Sequence, residues 1–291
     1  GRGRGVVATA NYAARAYGIH SAMPISTAWN LSRKAVQQGK PEVIFLPGDH
    51  TRYGEVSRHI MAIIRQHSPH VEEASIDEAY FDLSEASSFK EAREIVEAIK
   101  REIKDNEQLM CSVGIGPNKL IAKIASDRHK PDGLMVVNEA DIVAFLEPLP
   151  IRVIPGIGPK TEARLHMEGI QTVHDMKRFS RHELVAFFGK WGHDLYDKAR
   201  GRDDSSIVEE YEVKSIGEQQ TFFQDSIKSD ILIPTLLKLC ASVTQRFQAH
   251  GSRTFVRPRL GRCGISSMCQ AAAPSPKRRS PGREPLATRC W

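Results

Sequence analysis

Apolar positions recur at helical spacing through much of the chain. Residues 50–67 place Val56, Ile60, Ile63 and Ile64 on one face, and Phe89–Ile103 turns Ala92, Ile95, Val96 and Ile99 inward, so both segments predict amphipathic helices. Asn11–Tyr17 reads as a helix start rich in alanine. Ile25–Gln38 predicts a second helix stopped by Gly39 and Pro41. Short apolar runs predict strands at Val43–Leu46, Met110–Ile115 and Leu134–Val137, and Val71–Leu83 reads as two short strands meeting near Asp77-Glu78. Asn118–Ser126 predicts a helix with Leu120, Ile121, Ile124 and Ala125 on one side and Lys119 and Lys123 on the other. Taken alone, those two lysines read as a solvated face. Residues 43–137 therefore predict a small sheet with helices on one face.

The pattern changes at Asn138. From there to about Ala199 it is helical, with short Gly/Pro turns; Arg200–Ser206 is polar and linker-like. Glu210–Thr221 turns strand-like and Ile231–His250 is again helical. After about Val256 the sequence becomes Pro/Ser/Arg-rich and aperiodic, which predicts a tail unable to bury a core.

Length and charge refine this picture. A chain of 291 residues is enough for about two domains. No apolar run reaches the roughly 18 residues that span a bilayer, and no secretory signal is visible. Cys111, Cys240, Cys263, Cys269 and Cys290 form no close CxxC pair, so a reducing cytoplasm is the expected compartment. The net charge of +6 is uneven. Nine basic residues and one acid lie beyond residue 250, leaving 32 basic and 34 acidic residues, a net −2, before it. The basic pI of about 9.1 therefore belongs to the tail and says little about the body.

The candidate chemistry begins at Ser75-Ile76-Asp77-Glu78-Ala79. Neighbouring residues on a regular strand face opposite ways, so Asp77 and Glu78 can serve one cation only at a bend or bulge, such as a hairpin tip. Mg²⁺ takes one or two carboxylates plus substrate phosphates. The plainer alternative is a solvent-facing acidic turn. Cations follow at Lys119, Lys123, Arg128 and Lys130, and acids for a metal beside cations for phosphate suggest phosphoryl-type chemistry on a nucleotide. Thr9, Tyr12 and Arg15 fall at i, i+3 and i+6 and predict a shared helical face suited to a triphosphate; a capped helix with an exposed Arg is the alternative. Pro155-Gly156-Ile157-Gly158-Pro159-Lys160 resembles a helix-hairpin-helix turn, in which glycine lets backbone N–H groups approach a DNA phosphate. Phe187-Phe188-Gly189-Lys190-Trp191-Gly192 reads as a degenerate second copy. Ordinary turns between helices are the competing reading of both. Gly114-Ile115-Gly116 lacks a Gly-Lys-Ser/Thr ending and reads as a strand end leading into a helix. The eleven histidines show no metal spacing.

Together these motifs are identified with a known family. Val7-Ala8-Thr9-Ala10-Asn11-Tyr12-Ala13-Ala14-Arg15, with Gly18 and Met23-Pro24, resembles the fingers of Y-family translesion DNA polymerases of the bacterial DNA polymerase IV (DinB) type. Ser75–Tyr80 looks like their palm metal motif. Val113–Lys119, Ala122-Lys123 and Lys130-Pro131-Asp132-Gly133 are similar to the rest of that palm. Val153–Gly158 resembles the thumb hairpin, and Val213–Gly217 the entry to the little finger. Five motifs occur in order over about residues 5–255.

The resemblance implies an α+β right-hand polymerase: fingers 1–48, palm 49–137, helical thumb 138–204 with its helix-hairpin-helix, linker 205–216, partial little finger 217–256, and a disordered or frameshifted tail 257–291. It implies template-directed addition of dNTPs to a primer on damaged DNA with two Mg²⁺ ions. Asp77 and Glu78 would ligate metal, and Thr9, Tyr12, Arg15 and Lys130 would hold the phosphates. Ala8 and Ala10 would leave room above the nascent pair. Gly156, Gly158, Lys160, Gly189 and Lys190 would hold primer-template DNA. A monomer in the bacterial cytoplasm, recruited in its intact form by a sliding clamp, completes the expectation. The family's first strand carries a further metal-binding Asp and an aromatic gate against ribonucleotides, and neither lies ahead of Gly5. The chain is therefore expected to be N-terminally incomplete and weak or inactive. The readings that compete with an incomplete polymerase are a non-catalytic DNA-binding module built on residues 155–192 and an unrelated nucleotidyl enzyme with a palm-like sheet.

Overall fold

The computed structural model describes residues 4–213, 215–222, 224–249, 256–261, 264–270 and 287–290. The chain divides into two compact units, residues 50–211 with 279–291 and residues 1–49 with 212–278.

The larger unit is built on a mixed sheet. After helix α3 (His50–His67), strands β1 (Val71–Ser75) and β2 (Glu78–Asp82) form an antiparallel hairpin. Helix α4 (Phe89–Glu107) starts at Ser88, whose side chain accepts the Glu91 N–H. Strand β3 (Val113–Gly116), helix α5 (Lys119–Arg128) and parallel strand β4 (Leu134–Val136) make a β-α-β crossover. A short strand, Ala287–Cys290, pairs antiparallel with both β2 and β3, so the sheet order is β1, β2, the 287–290 strand, β3, β4.

Alternation along the strands assigns the faces. Ala79, Phe81, Val113 and Ile115 turn towards Ile60, Ile64, Val96 and Ile99 of α3 and α4. The opposite side of β3 is covered by α5. A Cβ on Gly114 would stand 2.2 Å from the Ala122 carbonyl oxygen, and one on Gly116 would stand 2.7 Å from Ile121 Cγ2. The Gly-Ile-Gly run therefore serves close strand–helix packing. Helices cover both faces of this sheet, where one covered face was expected. The Lys/Leu/Ile pattern of α5 did not reveal that its polar side is also enclosed.

The helical region is continuous with this unit. Helices α6 (Ile142–Leu146), α7 (Pro159–Met167), α8 (Val173–Lys177), α9 (Arg181–Phe188) and α10 (Trp191–Lys198) pack around Leu146, Ile151, Ile154, Leu165, Met176, Leu184 and Leu195. The same core includes Leu120, Ile121, Ile124 and Ala125 of α5. The change of pattern at residue 138 thus marks no break in packing. Capping boxes at Thr172/Asp175 and Ser180/Glu183 set the starts of α8 and α9.

In the smaller unit, α1 (Tyr12–Arg15) and α2 (Ile25–Gln37) enclose a small core of Val7, Ala14, Ile19 and Ala28. The strand expected at Val43–Leu46 does not form. Among the described residues no strand pairs with it; the Val43 N–H donates to Ser32 Oγ at 3.0 Å, and the Phe45 ring packs 5.7 Å from that of Trp29. Further on, β5 (Ser215–Thr221), β6 (Val256–Gly261) and β7 (Gly264–Gln270) form an antiparallel sheet in the order β5-β7-β6. Helix α11 (Ser229–Ala249) packs against it through Val243, beside Ile216. Strands beyond residue 256, with β8 at Ala287–Cys290 in the larger unit, depart from the expected structureless tail. Main-chain pairing satisfies N–H and C=O groups whatever the side-chain composition.

Candidate active site

The acidic hairpin has the bend without which Asp77 and Glu78 could not serve one cation. The β1–β2 register shifts between Glu73 and Ser75, so Ala74 forms a bulge, and the chain turns at Ile76-Asp77 before Glu78 pairs with Ser75. Asp77 lies exposed at the tip, where Ser75 Oγ donates to its Oδ1 at 2.6 Å. Glu78 opens β2 and is half-buried.

From Glu78 a line of ion pairs runs along α5. Lys123 Nζ stands 3.1 Å from Glu78 Oε1 and 3.2 Å from Asp127 Oδ2, and Lys130 Nζ stands 2.6 Å from Asp127 Oδ1. Burial alone would raise the Asp127 pKa, but the Lys130 hydrogen bond and the charges of Lys123 and Lys130 hold it below the ordinary value. Lys130 thus stands two side chains away from Glu78. Its turn is pinned from behind by Lys100, which donates to Asp132 Oδ1 at 2.6 Å and to the carbonyls of Cys111, Asp132 and Gly133.

A second network lies on the same face of the sheet. Glu72 is 2 % exposed and pairs with Lys119 Nζ at 2.6 Å. Its Oε2 accepts the Val208 N–H at 2.8 Å, and its Oε1 accepts the Tyr211 hydroxyl. Burial raises the Glu72 pKa, but hydrogen bonds from Lys119, Tyr211 and Val208 outweigh that and hold it low. The same bond and burial push the Tyr211 phenol up to about 12. Lys119 also caps the Tyr80 ring, 4.8 Å from its centroid, and donates to the Ser206 carbonyl at 3.2 Å. Asn118 Nδ2 donates to Gly201 O at 2.8 Å, and Asp203 Oδ2 accepts the Leu120 N–H at 3.0 Å. Residues 201–211 are therefore strapped across the start of α5. Lys119 and Lys123 are partnered cations, a correction to the solvated face expected for them. Glu72 and Tyr211 were missed because their partners lie far away in sequence; Asp127 was missed although its lysines stand only four residues before it and three after it.

The glycine hairpins differ in detail. Gly156 has φ +99°, and a Cβ there would stand 3.2 Å from Trp191 Cζ2. Gly158 caps α7 from an open position with nothing within 4 Å of an added Cβ, and Lys160 is exposed in the first turn. Gly189 has φ +62° and ends α9, and exposed Lys190 precedes α10. Trp191, packed on Phe188, joins the two turns. A groove of about 550 Å³ runs between α5 and the first hairpin, lined by Lys123, Asp127, Arg128, Arg152, Gly156 and other residues. Glu78 is thus linked to Lys130 through Lys123 and Asp127, two residues that also line this groove with Gly156.

In the smaller unit, Tyr12 and Arg15 share α1, and the Arg15 guanidinium lies 5.4 Å from the Tyr12 ring centroid while its Nε donates to Ala10 O at 2.9 Å. Asn11 caps the helix, accepting the Ala14 N–H at 2.9 Å. Ala8 and exposed Thr9 precede the helix, so the expected three-residue helical face holds only Tyr12 and Arg15.

Asp77 and Glu78 offer hard carboxylate oxygens, one exposed and one half-buried. That donor set fits a Mg²⁺ ion that completes its shell with substrate phosphates. Among the described residues no group of three or more His, Cys, Asp or Glu side chains gathers as a closed metal cage. No helix among those residues is long and apolar enough to cross a membrane.

Comparison with known proteins agrees with this geometry. Residues 1–127 match the impB/mucB/samB family, and residues 152–203 match the thumb domain of DNA polymerase iota. The chain is 43% identical over 253 residues to DNA polymerase IV of Methanoculleus marisnigri, covering 87% of this chain and 68% of that protein. It is 41% identical to DNA polymerase IV of Xanthomonas axonopodis pv. citri, covering 81% and 64%. It therefore spans about two thirds of those relatives' length, and the likeness reaches well beyond one bacterial group. Among solved structures, a Y-family chimera of Dbh and Dpo4 matches with a TM-score of 0.79 at 26% identity, covering 100% of this chain and 87% of that one. An insertion ternary complex of Dbh DNA polymerase matches at 0.70 and 27%, covering 99% and 86%. Motif order, sheet and hairpin geometry and these likenesses agree: the chain belongs to the DNA polymerase IV (DinB) family of Y-family DNA polymerases.

Proposed function

We propose that this chain carries the nucleotidyl-transfer site of a translesion polymerase, with residues 1–48 as fingers, 49–137 as palm, 138–204 as thumb and 217–256 as part of the little finger. The observation that supports this reading is the line Glu78–Lys123–Asp127–Lys130, which connects Lys130 to the acidic hairpin through two side chains. Asp77 and Glu78 would hold two Mg²⁺ ions, which when bound neutralise the triphosphate and acidify the primer 3′-hydroxyl. Lys130, with Thr9, Tyr12 and Arg15, holds the dNTP phosphates. Ala8 and Ala10 keep the space over the nascent pair small-sided and tolerant of damaged bases. Gly156, Gly158 and Gly189 bring main-chain N–H groups, and Lys160 and Lys190 bring charge, to the primer-template backbone. A sliding clamp recruits the protein.

Primer extension with dNTPs and Mg²⁺, run beside fluorescence anisotropy on labelled primer-template DNA, tests this. Asp77→Ala and Glu78→Gln should abolish extension and leave DNA binding within about twofold, since the proposed DNA contacts lie on other residues. Extension indifferent to both substitutions overturns the assignment. DNA binding without extension by any variant favours the non-catalytic module.

A further inference from the structure

Glu78 already carries a cation. The Lys123 ammonium lies on its Oε1, one-fifth exposed, with Asp127 one helical turn further along α5 at nearly the same distance. The carboxylates of Glu78 and Asp127 thus share one ammonium. Asp127 meets Lys123 through Oδ2 and Lys130 through Oδ1, so it has one oxygen for each lysine. A partly exposed lysine pair is weak enough to yield to a divalent ion. The ammonium needs only a side-chain rotation to leave Glu78, because its second acceptor is already in contact. Without that acceptor, displacement would leave a half-buried ammonium unpaired.

We propose that Lys123 is a built-in counter-ion of the acidic hairpin, a positioning residue that a divalent cation displaces from Glu78 onto Asp127. The proposal rests on reading Asp77 and Glu78 as cation-holding acids. It makes Lys123 a competitor at the site and Asp127 the group that lowers the cost of removing that competitor. In the free protein, Lys123 keeps the hairpin acid neutralised and in place.

Mn²⁺ binding to the full chain, read as the loss of free-ion electron paramagnetic resonance signal, tests the handover without any turnover. Circular dichroism melts check that each variant is folded. Lys123→Met should bind Mn²⁺ about fivefold more tightly than the parent. Arg152→Met removes a cation from the same groove that pairs with Glu162 at 2.7 Å, and should stay within about twofold of the parent. Asp127→Asn should weaken binding in the parent and have little effect in the Lys123→Met background, because its role passes through Lys123. Equal tightening by Lys123→Met and Arg152→Met would mark a general field effect and overturn the proposal. So would unchanged or weaker Mn²⁺ binding in Lys123→Met while Glu78→Gln has lost it, an outcome that leaves the acidic pair standing. Mn²⁺ binding unaffected by Glu78→Gln would remove the underlying reading itself.

Discussion

Glu72 shows how much of this protein is decided at single side chains. A carboxylate that is 2 % exposed is tolerable only because Lys119, Tyr211 and the Val208 N–H all reach it. Glu72→Gln removes the charge and leaves the Lys119 ammonium enclosed without its counter-ion, at an expected cost of about 3 kcal/mol in urea unfolding at neutral pH. The sign with pH follows from the lowered Glu72 pKa. Its stabilisation is present above the ordinary value of 4.5 and is lost as the pH falls through the lower folded value. The stability gap between parent and Glu72→Gln should therefore narrow on titrating from pH 7 to about pH 3. A gap that widens on acidification would show that the pair does not behave as a buried ion pair. In the sequence, Glu72-Glu73 looks like two solvent acids, and no spacing rule connects position 72 with 119, 208 and 211. The bend at Asp77-Glu78 was legible because the turn lies within a few residues of local sequence.

At the scale of elements, periodicity located the helices of residues 50–128 well and placed the hairpin at the right turn. It did not see how closely elements approach. Gly114 and Gly116 read as a strand end leading into a helix, which they are, and both also let α5 lie against β3. Gly114→Ala should cost about 3 kcal/mol, measured by thermal or urea unfolding, because its Cβ would meet backbone atoms of α5 at 2.2 and 2.4 Å. Gly158→Ala meets nothing and should leave stability within about 0.5 kcal/mol. Its added methyl lies where a phosphate would approach, so primer-template affinity should fall severalfold by anisotropy, uniformly across DNA sequences. Equal stability losses for the two variants would mean that the backbone gap at Gly114 is not structural. The missing strand at Val43–Leu46 is the complementary lesson: apolar content makes a segment buryable, and only a neighbour makes it a strand.

In the larger unit, α5 packs against β3 on one side and belongs to the core of the helical region on the other. A fragment of residues 138–204 loses Leu120, Ile121, Ile124 and Ala125 from that core. It should show loose tertiary packing by near-ultraviolet circular dichroism, whereas residues 50–211 should melt cooperatively. A cooperatively melting 138–204 fragment would make the helical region a self-contained body after all. The amino-acid sequence by itself determined the helices, the acidic hairpin, the glycine turns and the motif order that marks the family, because each depends on contacts within a few residues. Only the tertiary structure decided that helices cover both faces of the sheet, that residues 201–211 are strapped to α5, and that Lys123 and Asp127 join Glu78 to Lys130. Those outcomes depend on which surfaces meet after the chain has folded back on itself, and charge pairs between distant positions leave no period in the sequence to read.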